Sequence, residues 1–77
     1  MKISVTDVMI YSRNRLDDQQ FEELKNIVYQ DEAVISFSRN EHLPQCLMVV
    51  YNSASTQAIS ILRSVTGFGI KASLVGI

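Results

Sequence analysis

The sequence predicts an α+β fold, a ferredoxin-like βαββαβ sandwich in which two helices cover one face of a four-stranded antiparallel sheet. Residues 34–75 contain two short β-type runs, an amphipathic helix and a final β-type run, and one strand-like run and one helix precede them. This topology places the first and third strands at the centre of the sheet, and those are the two longest apolar runs of the chain. The lengths of the apolar runs therefore agree with the strand positions that this topology requires.

Length and composition predict one small domain over residues 1–77. The 77 residues are 47% hydrophobic, which suffices for one modest core and not for a deep enclosed active site. A formal charge of −1 lacks the basic excess of a nucleic-acid binder, so we expect no nucleic-acid partner. The single cysteine, Cys46, precludes an internal disulfide and favours a reducing compartment. No apolar run approaches the roughly 20 residues of a membrane span, and we expect a cytoplasmic protein without a membrane partner.

The first half of the chain is predicted as a strand over residues 3–11 and a helix over residues 18–29. Apolar alternation in the strand slips around Asp7, so we expect either a strand covered on both faces or a bulge near that residue. Asp17 is suited to cap the helix, and Gln20 three residues on can reach back to complete a capping box. The helix therefore has a well-marked start.

The second half is predicted as two strands, a helix and a last strand. The strands cover residues 34–38 and 46–52, with a polar loop between them. A polar break follows, in which Ser55 or Thr56 is expected to cap the second helix. The last strand is predicted over residues 70–77. No linker or repeat interrupts this order, which again indicates one domain.

The spacing of core residues in the second half carries a family resemblance. A strand ends on Val-x-Tyr, a helix is capped by Ser or Thr and spaces apolar residues at four-residue steps, and the chain closes on a Gly-x-x-Ala-x-x-Val pattern. The residues at these positions are Val49, Tyr51, Thr56, Ile61, Val65, Gly69, Ala72 and Val75. In this respect the chain resembles the heavy-metal-associated domain, the family of copper chaperones, mercury-binding proteins and N-terminal modules of metal-transporting ATPases. One position departs from the family's closing Gly-aromatic-x-Ala-x-x-Val pattern, because Ile70 stands where the aromatic residue usually is.

The same resemblance locates the position of the family's metal motif. That motif is Gly-Met-x-Cys-x-x-Cys, whose two thiolates hold a soft ion such as copper(I) at the start of the first helix. Counting back from Val34, the two cysteine positions fall on Asp17 and Gln20, and the Gly-Met pair falls on Asn14 and Arg15. Because all four positions carry other residues, the family's metal site is missing from this loop. We therefore expect no metal cofactor at this loop.

His42 and Cys46 are the candidates for a metal site elsewhere in the chain. They stand four residues apart, and a nitrogen and a sulfur donor of this kind would take copper or zinc. Pro44 between them indicates a loop, and two ligands do not complete a zinc site. Met9 and Met48 are interpreted as core or sheet-face residues rather than as thioether ligands. An atypical metal carrier using Cys46 and His42 is thus an alternative hypothesis.

The residue types present do not favour catalysis or RNA binding. One His and one Cys leave no nucleophile with both a base and an orienting group. An acylphosphatase of this topology would need a glycine-bearing phosphate cradle after the first strand, which residues 12–16 lack. An RNA-recognition module would show several stacking aromatics on the third strand, where only Tyr51 occurs and alternates inward. We expect a protein that is not an enzyme.

A binding module is the function that remains, and the third strand suggests its surface. By alternation Leu47, Val49 and Tyr51 lie on one face of that strand, and Cys46, Met48 and Val50 lie on the other. We expect Met48 and Val50, with Val8 and Val75, to form an apolar strip beside Ser4, Thr6 and Ser73 on the face away from the helices. Such a strip marks an interface for a protein partner or for self-association. A small-ligand regulatory dimer is a further alternative.

Overall fold

The computed structural model describes residues 3–75. Six elements follow one another in the predicted order: β1 (Val5–Ser12), α1 (Asp18–Val28), β2 (Val34–Arg39), β3 (Cys46–Asn52), α2 (Ala58–Gly67) and β4 (Ala72–Val75). The four strands form one antiparallel sheet in the order β2-β3-β1-β4, so that β1 and β3 lie at its centre. The predicted α+β sandwich is confirmed.

Strand β1 is regular, and its register against β3 runs without a shift along the whole strand. Val8 and Ile10 are buried against the helices, whereas the odd-numbered positions face the other way. A bulge near Asp7 was one expectation and cover on both faces was the other, and both are wrong. Val5 explains the apparent slip, because it is an apolar residue that stays 62% exposed.

The irregular strand is β2, whose register with β3 shifts between Val34 and Ser36. The extra residue, Ile35, is 52% exposed, so Val34 and Phe37 are both buried although they stand three positions apart. The backbone N–H of Phe37 donates to the hydroxyl of Tyr29 at 2.9 Å. This bond satisfies a backbone donor on an edge strand of the sheet.

The hydrophobic core lies between the helices and one face of the sheet. Its most buried aliphatic side chains are Ile10, Leu24, Val28, Leu47, Val49, Ile61 and Val65, each 2% exposed or less. They come from β1, β3 and both helices, and burying each aliphatic side chain contributes about 1.5–3 kcal/mol. The apolar stripes of the two helices therefore hold this face of the sheet and leave the opposite face without helical cover.

Helix α1 begins at the predicted capping box. The Asp17 carboxylate accepts the backbone N–H of Gln20 at 2.7 Å, and the Gln20 side-chain oxygen accepts the backbone N–H of Asp17 at 3.0 Å. Two of the N–H groups that a helix start leaves without partners are thus satisfied. The helix ends at Val28, and Tyr29, the last residue of the predicted span, is its C-cap.

Helix α2 begins one or two residues later than predicted. Neither Ser55 nor Thr56 caps it; its N-cap is Gln57, whose side chain makes no capping hydrogen bond. The reason is a separate turn organised by Asn52, whose carbonyl accepts the backbone N–H of Ser55 at 3.1 Å and that of Thr56 at 3.2 Å. After the helix, Gly69 adopts a φ of 106°, a left-handed conformation that glycine tolerates without a side-chain penalty.

Strand β4 begins later than predicted, because Ile70 and Lys71 come between the turn at residues 68–69 and the regular pairing with β1. Ile70 remains a core residue at 8% exposure, but ladder pairing with β1 begins at Ala72. Gly76 and Ile77, the last two residues of the predicted strand, lie outside the described residues. Between residues 3 and 75 no helix has the length and apolarity that crossing a bilayer requires.

Candidate interaction surface

The sheet face away from the helices is the candidate surface, and it is called the open face below. Strand alternation brings to it the residues Ser36 and Ser38 of β2, Cys46, Met48 and Val50 of β3, Asp7, Met9 and Tyr11 of β1, and Ser73 and Val75 of β4. The register aligns Ser38, Met48, Met9 and Val75 in one row across all four strands. The apolar residues thus cluster on the two central strands and β4.

The side chains of this cluster shield one another but remain open to solvent. Met9, Cys46, Met48 and Val50 are half-buried, and Tyr11 and Val75 are each 39% exposed. Burial of this degree arises from neighbours within the sheet, since the described chain packs no helix over them. The open face is therefore a contiguous apolar surface rather than a scatter of single exposed residues.

The structure places some of the predicted strip on the open face and some on the other side. Met48, Val50, Val75 and Ser73 lie on it. Val8 does not: it is 6% exposed and belongs to the core. Ser4 and Thr6 stand at every second position before Val8, on the same side of the chain, so they do not belong to the strip either. The Thr6 hydroxyl donates to the Ser53 hydroxyl at 3.3 Å. The prediction assigned the even-numbered residues of β1 to the wrong face of the sheet. The unbroken register with β3 shows that the odd-numbered residues lie on the open face.

Met9 and Tyr11 take the place of Val8, and the sequence reasoning missed them as surface residues. Met9 lies directly opposite Met48, and Tyr11 lies directly opposite Cys46. The signal that identifies them is the Val8-Ile10 pair, because two apolar residues at alternate positions of a central strand are the ones expected to meet the helices.

Charge is sparse on the open face and unevenly distributed. Asp7 lies opposite Val50 and is exposed. Toward the other end of β1, the backbone N–H of Arg13 donates to the carbonyl of Lys71 at 2.8 Å, which continues the β1–β4 ladder by one step. By alternation Arg13 and Lys71 follow Tyr11 and Ser73 on the same side. The open face therefore carries an acidic residue toward one end, and at its other end it borders the basic residues Arg13 and Lys71.

The predicted metal candidates His42 and Cys46 occupy different settings. Cys46 is the first residue of β3 and is half-buried on the open face. His42 is exposed in the β2–β3 hairpin, where its backbone N–H donates to the Asn40 side chain at 2.8 Å. Throughout residues 3–75, the His, Cys, Asp and Glu side chains form no group of three or more that could hold a metal ion.

A second region, the loop corner, comprises residues 13–18 with Arg39, Gln45 and Lys71. It covers the position at which the family resemblance would place the metal motif. The Asn14 side-chain oxygen accepts the backbone N–H of Lys71 at 2.8 Å, and the Gln45 amide donates to the carbonyls of Ser12 and Arg13 at 3.1 and 3.2 Å. Hydrogen bonds to Gln45 and Lys71, from two other parts of the chain, thus hold this loop.

Arg39 is the central side chain of the loop corner. Its guanidinium donates to the carbonyl of Leu16 at 3.0 Å and to the Asp18 carboxylate at 2.7 Å. It also lies 4.7 Å from the ring centroid of Phe21, which itself stacks on Phe37 at 5.4 Å. The sequence pattern predicts that Arg39 lies in the loop after β2, whereas its pairing with Leu47 extends the strand to include it. Charge, hydrogen bonding and stacking therefore converge on one residue.

Solved structures share this fold over nearly the whole chain. Oxidized MerP from Ralstonia metallidurans has a TM-score of 0.79 at 13% identity, covering 92% of this chain and 97% of that one. The N-terminal domain of a potential copper-translocating P-type ATPase from Bacillus subtilis, in its Cu(I)-loaded state, has a TM-score of 0.81 at 15% identity, covering 92% and 88%. The CsoZ metallochaperone has a TM-score of 0.75 at 16% identity, covering 95% and 100%.

The sequence itself matches no protein-family profile and no curated protein. At 13–16% identity, the likeness to these three structures is a likeness of fold. It supports the heavy-metal-associated-like architecture that the spacing of residues 49–75 predicts, and it carries no bound metal over to this chain.

Proposed function

We propose that this chain is a non-catalytic protein-interaction module with a heavy-metal-associated-like frame, and that it docks through its open face. The observation that carries the proposal is the apolar cluster of Met9, Tyr11, Met48, Val50 and Val75 on a sheet face that no helix between residues 3 and 75 covers. Contiguous exposed apolar surface of this kind is typical of interaction sites.

The loop corner supports a role other than the family's usual metal chemistry. Asp17 and Gln20 stand where the resemblance places the two cysteines, and both side chains are occupied by the capping box. The chain's single cysteine is Cys46, on the sheet. A thiol pair at the start of α1 is therefore absent from the sequence, and the proposal treats this frame as one that works without it.

Solved proteins of the same fold favour binding over catalysis. One is the Cu(I)-loaded N-terminal domain of a potential copper-translocating P-type ATPase, and another is described as a metallochaperone. For this chain we propose the same general class, a binding protein, with a protein surface as its ligand.

The charge pattern favours a second copy of the chain as the partner that binds the open face. If two open faces met with their β1 strands antiparallel, Asp7 of one copy would approach Arg13 of the other. The sheet face measures roughly 19 Å by 23 Å from strand spacing and rise, which corresponds to about 1,000 Å² of total buried surface, the low end for a specific interface. We therefore expect a reversible dimer whose population depends on concentration.

Sedimentation equilibrium over a wide concentration range tests this proposal. The wild-type chain should show a monomer–dimer equilibrium, and Met48→Asp should shift it to monomer because a carboxylate at the centre of the apolar cluster would lose its hydration on contact. Ile59→Asp is the matched control, since Ile59 is a 42% exposed apolar residue on α2, and it should dimerise as wild type does.

Two results would contradict the proposal in different ways. A strictly monomeric wild-type chain would exclude a second copy as the occupant. A Met48→Asp chain that remained dimeric would exclude the open face as the contact. Thermal unfolding of each variant shows whether the fold is retained.

A further inference from the structure

Every sulfur-bearing side chain between residues 3 and 75 lies in one patch of the open face. The chain has one cysteine and three methionines, and Met9, Cys46 and Met48 are the ones that the structure describes. All three belong to the central strands β1 and β3. Their grouping depends on the register of the sheet, because Met9 is remote from the other two along the chain.

The register sets the spacing of the three residues. Met9 and Met48 are directly opposite each other, so their Cβ atoms are about 4.5–5.5 Å apart. Cys46 and Met48 are alternate residues on the same face of β3, separated by roughly 7 Å. Met9 and Cys46 are diagonal neighbours at roughly 7–8 Å, a distance that long side chains can span. A methionine has three rotatable bonds, so both thioethers can turn toward one point beside the Cys46 thiol.

The donor set has a clear chemical preference. One thiolate and two thioethers are soft, polarizable ligands, which suit copper(I) and the similarly soft silver(I). Zinc takes thiolate, imidazole and carboxylate ligands and has no comparable use for thioethers. A monovalent ion bound by one thiolate is neutral overall, which suits a half-buried apolar setting better than a divalent ion would.

In a single copy of the chain, the surroundings of the patch are compatible with entry of an ion. Met9, Cys46 and Met48 are each half-buried, so each side chain has solvent-accessible surface. Tyr11 lies opposite Cys46, and Asp7, the carboxylate on this face, pairs with Val50 in another row of the sheet. Met9, Cys46 and Met48 thus bring three sulfur donors to neighbouring positions of this surface, away from Asp7.

We propose that Cys46, Met48 and Met9 form a three-sulfur site for one copper(I) or silver(I) ion per chain. The site lies on the sheet and involves neither the loop corner nor His42. This inference goes beyond the docking function and does not require it, because all three ligands come from one copy of the chain.

Competition with a chromophoric copper(I) chelator tests the site, using the full chain, reduced and free of oxygen. Native mass spectrometry should show one copper(I) per wild-type chain. Cys46→Ser should abolish binding, and Met9→Leu and Met48→Leu should each weaken it by at least about tenfold, since each removes one ligand. Leucine conserves volume and apolarity at these positions, so the fold should be retained. His42→Ala is the matched control and should bind as wild type does.

Carbon-13 labelling of methionine methyl groups gives a second readout. Silver(I) is diamagnetic, and one equivalent should shift the methyl resonances of Met9 and Met48 together. If only stoichiometric Cys46-dependent binding occurred, with both methyl resonances unchanged, the three-sulfur site would be overturned.

Other results would also overturn the inference. These are the absence of stoichiometric copper(I) binding, wild-type affinity in both methionine variants, or loss of binding in His42→Ala, which would favour the His42–Cys46 pair instead. Sedimentation separates this inference from the docking proposal. Met48→Leu should remain dimeric while losing copper(I) affinity, whereas a monomeric wild-type chain that bound copper(I) would contradict docking alone.

Discussion

The loop corner and the open face differ in whether their chemical groups already have partners within the chain. In the loop corner, carbonyl groups of Ser12, Arg13 and Leu16 accept hydrogen bonds from Gln45 and Arg39. On the open face, apolar and sulfur-bearing side chains meet only their neighbours within the sheet. A region whose polar groups are already paired contributes stability, whereas an uncovered apolar surface is free to meet a ligand. We therefore expect substitutions in the two regions to separate stability from binding.

The largest expected effect comes from comparing adjacent residues of β3. Leu47 is fully buried, so Leu47→Ala should lower the free energy of unfolding by about 2–5 kcal/mol through lost burial and a residual cavity. Met48 faces the other way, and Met48→Ala should lower it by less than about 1 kcal/mol. Urea denaturation followed by circular dichroism measures both. Similar losses in the two variants would mean that the open face contributes to the fold as the core does.

Arg39 tests the loop corner at its central contact. Arg39→Ala removes the bond to the Leu16 carbonyl and the contact with the Phe21 ring, and we expect a loss of about 2 kcal/mol in the free energy of unfolding. Dimerisation and copper(I) affinity should not change.

Asp18→Ala is the control that isolates the ion pair. Asp18 is 97% exposed at its side chain, and solvent-exposed pairs contribute about 0–1 kcal/mol. An equal loss in Arg39→Ala and Asp18→Ala would show that the ion pair, rather than the hydrogen bond and the ring contact, supplies the stability.

A smaller loss than that of Arg39→Ala is expected at the capping box. Asp17→Ala removes the acceptor for the Gln20 backbone N–H and should cost about 1 kcal/mol, whereas Asp17→Ser keeps a capping oxygen and should cost less. Thermal unfolding measures both variants. If Asp17→Ala impaired metal binding or association instead, the loop corner would be part of the functional surface, and the contrast with the open face would fail.

Local sequence patterns were sufficient for much of the fold. The capping box of α1 was predicted because its two residues are three positions apart and bond each other directly. The alternation of β3 was predicted because Leu47, Val49 and Tyr51 are large and apolar on one side. The predicted N-cap of α2 was wrong because Asn52, at the end of β3, organises a separate turn before the helix.

The candidate site was predicted only in part. Met48 and Val50 were assigned to the correct face from the pattern of β3, but their neighbours on β1 were not. The break in apolar alternation around Asp7 left two possible assignments of the faces of β1. A shift of one residue moves every side chain to the opposite face. Pairing with β3 and burial of Val8 select one phase.

The element order, the start of α1 and the inward face of β3 follow from local sequence, because they depend on residues within one turn or one strand. Which residues of β1 join Met48 on the surface, and which side chain holds the loop corner, depend on packing between distant segments. Met9 and Arg39 are remote in sequence from the groups that they face, Met48 and Leu16. Strand register and helix packing bring such residues together, and no local pattern encodes that pairing.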